Sequence, residues 1–105
     1  MNTSKIRELN DQFRTTFTGG KVVITPGIAA RSDCCEILEA VRAYSSFTED
    51  NNPHGENDFG DLDRDGTKIF WKIDYYDKSI CGGSDDPADE TKTTRVLTVL
   101  LASEY

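Results

Sequence analysis

Several residue types are scarce in this chain, and each scarcity closes off a class of protein. The longest apolar run, Val96 to Ala102, is short and interrupted by Thr98, far from the roughly 20 residues that cross a bilayer as a helix. A transmembrane helix is therefore not expected. Three cysteines, Cys34, Cys35 and Cys81, cannot all pair within one chain, and adjacent residues rarely bridge each other. A disulfide framework is not expected, and reduced cytosolic thiols are the expectation. The N-terminus, Met-Asn-Thr-Ser-Lys, runs straight into a charged amphipathic pattern without an apolar leader segment, so a cytoplasmic location is expected. Lysine and arginine are dispersed rather than clustered, which argues against direct contact with nucleic-acid phosphates. Gly82-Gly83-Ser84 lacks the lysine and the spacing of a phosphate loop, and is followed by acids that repel a nucleotide.

Acid is abundant, and it is segregated. Between Glu49 and Glu90 thirteen acidic residues face four basic ones, Arg64, Lys68, Lys72 and Lys78, a net charge of −9 that leaves +2 for the remainder of a −7 chain. Such a field repels phosphate, attracts basic surfaces and accelerates association with them. A length of 105 residues accommodates one domain around a single core.

Helix signals come first along the chain. Ser4 stands where a cap is expected, Ile6, Leu9, Phe13 and Phe17 recur at spacings of three and four, and Gly19-Gly20 reads as the stop. Lys21 to Thr25 is a short β-branched strand closed by a Pro26-Gly27 turn. Asp33 with Glu36 three residues on has the form of a capping box, opening a second helix whose inward stripe is Ile37, Leu38 and Val41, extended by Tyr44. Cys34 and Cys35 fall in its first turn, where a thiol can become reactive but more commonly fills space.

Ser46 to Phe59 reads as a long polar loop. Asp58 to Asp63 and Thr67 to Tyr76 then flank Arg64-Asp65-Gly66, whose Asp-Gly pair marks a hairpin. In the second strand Ile69, Trp71, Ile73 and Tyr75 alternate with Phe70, Lys72, Asp74 and Tyr76, giving one core face and one amphipathic face. Asp77 to Thr91 is a second long loop, and the threonines and valines of residues 93–102 favour a last strand. The expected fold is α+β, with two helices packed on one face of a mainly antiparallel sheet of about four strands, in the order α-β-α-β-β-β.

Few constellations carry chemistry. Asp61-Leu62-Asp63-Arg64-Asp65-Gly66-Thr67 matches the first half of a calcium loop, but the position that should supply a bidentate carboxylate is Lys72. His54, the single histidine, precedes Glu56 and Asp58 at spacings of two and four, compatible with a general base or a metal ligand and diagnostic of neither. Neither a metal site nor a cofactor is expected.

Motifs spread along most of the chain are distinctive as a set: Ile6-Arg-Glu-Leu-Asn-Asp, Phe17-Thr-Gly-Gly-Lys-Val-Val, Phe47-Thr-Glu-Asp-Asn, Pro53-His54-Gly55-Glu56, Asp58-Phe59-Gly60, Phe70-Trp-Lys-Ile-Asp-Tyr-Tyr-Asp77, Asp86-Pro-Ala-Asp and Thr94-Arg-Val-Leu-Thr-Val-Leu-Leu-Ala-Ser-Glu-Tyr105. In these the chain resembles a family of small bacterial proteins catalogued as domain of unknown function 3768. The resemblance implies a bacterial cytoplasmic protein of a family often carried on plasmids and other mobile elements, and brings no known catalytic residue.

Two functions follow as expectations. The first is a non-enzymatic interaction protein, a mobile-element inhibitor of a basic nucleic-acid-handling host protein such as a CRISPR effector or restriction enzyme, acting by imitation of a phosphate backbone. Its candidate surface is Glu49, Asp50, Glu56, Asp58, Asp61, Asp63 and Asp65 with Asp85, Asp86, Asp89 and Glu90, and Tyr76 as an aromatic anchor. The alternative is a small enzyme or metal-binding domain centred on His54, Glu56 and Asp58. A monomer or small homo-oligomer accommodates either.

Overall fold

In the computed structural model, residues 2–105 are described. Helix α1, Thr3–Thr16, is capped by Asn2, two residues before the expected Ser4: the Asn2 Oδ1 accepts from the Lys5 backbone N–H at 3.1 Å. Ile6, Leu9 and Phe13 are buried as their spacing requires. Phe17 leaves the stripe. It ends the helix in the left-handed region at φ 58°, its N–H bonded back to the Phe13 carbonyl, so the helix stops before Gly19-Gly20. The Arg42 guanidinium lies 5.4 Å from the Phe17 ring, holding a conformation that a residue with a Cβ seldom adopts.

Strand β1, Gly20–Ile24, leads into an element that the sequence does not announce. Where Pro26-Gly27 suggests a turn, Pro26–Ala29 forms a short helix, α2, with proline in its first turn, where the missing N–H costs nothing. The reason is Ile28, fully buried against the core. Helix α3, Cys34–Arg42, buries Ile37 and Val41. The expected capping box is absent, because Arg31 and Arg64 take the Asp33 carboxylate at 2.8 Å and 3.5 Å instead.

Strands β2, Phe59–Arg64, and β3, Thr67–Tyr76, form the expected hairpin. Asp65 at φ 50° and Gly66 at φ 83° are both left-handed, as a two-residue turn matched to strand twist demands. Strand β4, Thr94–Leu101, is followed by a 3-10 turn, Ala102–Glu104. The Glu104 carboxylate binds the Thr25 hydroxyl and the Gly27 and Leu101 backbone N–H groups, tying the C-terminal end to the corner where β1 meets α2.

The fold is mixed α+β with a four-stranded sheet in the order β1-β4-β3-β2. Two corrections apply to the sequence-based expectation. Three helices are present, so the order is α-β-α-α-β-β-β, and the sheet is mixed, because β1 pairs parallel with β4 while β4-β3 and β3-β2 are antiparallel. Ile69, Trp71 and Ile73 of β3 and Leu97 and Val99 of β4 face Phe13, Ile28, Ile37 and Val41 of the helices in one core. The alternation read from β3 thus holds residue for residue.

Candidate functional site

The most organised polar structure lies where both long loops return to the sheet. Arg95, on the inward face of β4 and 3% exposed, donates from Nε to Asn10 Oδ1 of α1 at 2.7 Å, donates from Nη2 to the Pro87 carbonyl, and stacks over the Tyr75 ring at 5.2 Å. Asn10, fully buried, donates to the Tyr75 hydroxyl at 2.8 Å and to the Glu56 carbonyl at 2.9 Å. The Tyr75 hydroxyl donates in turn to the Glu56 carboxylate at 2.7 Å. One chain of charge-assisted and neutral bonds therefore holds the end of residues 43–58 and the middle of residues 77–93 against α1 and the two central strands.

Burial sets the titration here. It pushes the Tyr75 phenol far above its ordinary range, with the Glu56 carboxylate as acceptor adding to the effect. Asp58 is half-buried, and burial first and the neighbouring Glu56 second raise its carboxyl above the usual carboxylate value. Burial lowers the Arg95 guanidinium from its ordinary value. Among the described residues no carboxylate lies at ion-pair distance from Arg95.

This arrangement decides where the acidic residues go. Gly83 bridges Tyr76, and the Ser84 N–H bonds the Tyr75 carbonyl at 3.1 Å, so Asp85, Asp86, Asp89 and Glu90 sit at the same end of β3 as Glu56 and Asp58. Asp61, Asp63 and Asp65 run the other way, toward the hairpin turn. At about 3.3 Å per residue the ten residues of β3 separate that turn from Tyr76 by roughly 30 Å. The two groups differ in company: Asp61 is paired with Lys68 at 3.3 Å, and Arg64 and Arg31 flank the hairpin. None of Glu56, Asp58, Asp85, Asp86, Asp89 and Glu90 is in an ion pair among the described residues. Glu49 and Asp50 are exposed in the turn of residues 48–51, and Tyr76 is half-buried at the end of β3.

Part of this acid is structural. Asp86 Oδ1 accepts from the Ala88 N–H at 3.1 Å, and Asp89 Oδ1 accepts from the Thr91 N–H and hydroxyl, bonds that hold Asp89 below the usual carboxylate range. Asp85 and Glu90 are exposed, and their side chains make no hydrogen bond to described residues.

His54 is exposed, while Glu56 turns inward to Tyr75 and the Asp58 carbonyl takes the Ile73 N–H. Among the described residues no three His, Cys, Asp or Glu side chains are grouped to hold a metal, at His54 or at the Asp61–Asp65 half-loop. Cys34, Cys35 and Cys81 are free, the last two exposed. No described helix is long and apolar enough to cross a membrane.

A family model described as a protein of unknown function, DUF3768, matches residues 3–104. The chain belongs to the DUF3768 family. No curated protein and no solved structure matches it. The family description names no activity, so the candidate site rests on its own geometry. Asn10 and Arg95, its two anchors, are polar residues at positions the pattern reserves for the core. Asn10 adjoins Leu9 on the buried stripe of α1, and Arg95 is in phase with Leu97 and Val99 on the inward side of β4. That interruption of the apolar pattern is the signal by which the sequence marks them.

Proposed function

We propose that this chain is a cytoplasmic interaction protein that binds a basic surface of a nucleic-acid-handling protein through the loop-bearing end of its sheet. The observation that carries the reading is the set of six carboxylates, Glu56, Asp58, Asp85, Asp86, Asp89 and Glu90, gathered at one end without an ion pair among the described residues. Surface carboxylates are commonly paired with cations, as Asp61 is at the hairpin, whereas Lys78 and Lys92 act on Asp89 only from beyond ion-pair distance. Left together on anchored loops, the six carboxylates steer a basic partner and lose little freedom on binding it. Tyr76, at the margin of the same end, supplies apolar area that acids lack. Phosphate is repelled by such a surface, so the partner is a protein that itself grips nucleic acid. A mobile-element inhibitor of a CRISPR or restriction effector is the role to which this chemistry extends.

The test is capture of partners from nuclease-treated bacterial lysate expressing candidate defence complexes, followed by affinity measurement across a salt series. Binding by this end weakens with salt. The double variant Asp85→Lys, Glu90→Lys is expected to weaken it by more than tenfold with an unchanged melting curve. Reversing Asp61, Asp63 and Asp65 costs less, because Lys68 already offsets Asp61. Wild-type affinity in the loop variant overturns the reading.

A further inference from the structure

The three α-helices cover one face of the sheet, and the other face is left with a surface of different character. Its register places Val23 of β1, Leu100 of β4, Phe70 of β3 and Phe59 of β2 on one side, with Tyr105 folded back against Phe70. Phe59 and Phe70 have ring centroids 5.3 Å apart, and Tyr105 meets Phe70 edge-on at 5.6 Å while remaining 77% exposed. Val23 is 44% exposed. The charged residues of this face are Lys21, Lys68 and Lys72 against Asp61, Asp63 and Asp74, a net charge of zero on a chain of −7.

We infer that this face is the contact between two copies of the chain, packed sheet to sheet. Three features select that occupant. A basic partner finds no net attraction on a neutral face, whereas two copies, which repel one another through the acidic end, approach here without a charge penalty. The face is also self-complementary. A two-fold axis crossing the strands at Trp71 sets Lys68 of one copy opposite Asp74 of the other and packs Phe70 against the stem of Lys72, while sending the two acidic ends to opposite extremes of the dimer. Area is the third feature. The strands hold 29 residues, which at about 3.3 by 4.8 Å each cover on the order of 450 Å² as a flat footprint, and side-chain relief carries this toward the roughly 800 Å² per partner of a stable interface. Sheets packed in this way keep their strands within about 30° of alignment, as the axis at Trp71 requires.

Sedimentation equilibrium over about 1 to 200 µM decides the matter, since a contact of this size is expected to dissociate within that range. The wild-type mass should rise toward twice 11.7 kDa. Phe70→Lys should shift the dissociation constant upward by more than tenfold while retaining the circular dichroism melt, and Val23→Lys, at an exposed position of the outer strand, does the same should Phe70→Lys fail to fold. Lys68→Glu and Asp74→Lys should each weaken the dimer and together restore it. A wild-type mass of 11.7 kDa throughout, or a dimer indifferent to both Phe70→Lys and Val23→Lys, overturns the inference. A monomer whose capture of a basic partner is lost in Phe70→Lys overturns it too, by giving the face to that partner.

Discussion

Arg14 reinforces the end of a helix that the Ala43 and Tyr44 backbone N–H groups already cap. It is 4% exposed, and its Nη1 donates to the Val41 and Arg42 carbonyls, at 2.9 and 3.1 Å, at the C-terminal end of α3. Its guanidinium carbon lies 5.5 Å from the Phe47 ring and 5.3 Å from the Trp71 ring, which meet edge-on, contacts worth more once water is excluded. Arg14→Met is expected to cost about 2–3 kcal/mol in urea unfolding, since the Arg42 carbonyl loses its side-chain donor, the Val41 carbonyl keeps only its backbone one, and the ring contacts of the guanidinium go with them. Arg14→Lys should recover little of it, because an ammonium cannot reproduce the flat, multi-donor fork that reaches two carbonyls and two rings at once. Asp58 works in the opposite direction. Its folded-state carboxyl titrates above the unfolded one, so the folded state holds the proton more tightly and the ionised group opposes folding at neutral pH. Asp58→Asn should therefore raise stability at pH 7 by about 0.5 kcal/mol after allowance for solvent screening. Thermal melts at falling pH should show the gain fading through the raised folded value and gone below 3.8.

At the scale of elements, the hairpin is where sequence and structure agree most closely, because its signals are local. Period-two alternation defines β3, and Asp-Gly defines its turn. Gly60 has a different role within the same hairpin. A Cβ there would press into the Trp71 indole and lie 2.7 Å from the Tyr44 ring, both parts of the core. Gly60→Ala is thus expected to cost on the order of 3 kcal/mol by chemical denaturation, an overpacking effect at a position whose backbone is ordinary strand. The elements that the sequence obscures are those decided at a distance. Pro26-Gly27 suits a turn and a first helical turn equally, and buried Ile28 makes the choice. Asp33 and Glu36 have the spacing of a capping box, yet Arg64, thirty-one residues on, joins Arg31 in claiming the carboxylate. Phe17 fits the apolar stripe of α1 and ends the helix instead, because Arg42 of α3 waits above its ring.

For the molecule as a whole, the acidic composition was plain in the sequence and its geometry was not. Thirty-one residues separate Glu56 from Pro87 along the chain, whereas the fold ties both to one network of Asn10, Tyr75 and Arg95, single side chains whose partnership spans up to 85 residues. The parallel contact of β1 with β4 was equally hidden, for no local pattern encodes a pairing such as Gly20↔Arg95. That contact makes the sheet depend on the far end of the chain. A protein ending at Thr93 lacks the strand that sits between β1 and β3, and its circular dichroism melt should lose its cooperative transition. The same pairing sets a timetable. Among the described strands the first to be synthesised pairs with the last, β4, so on the ribosome α1, β1 and the hairpin must wait, their apolar faces unmatched, until Thr94–Leu101 has emerged. Folding then waits on β4, and a chaperone that shields nascent apolar segments has its longest opportunity with this protein just before that strand emerges.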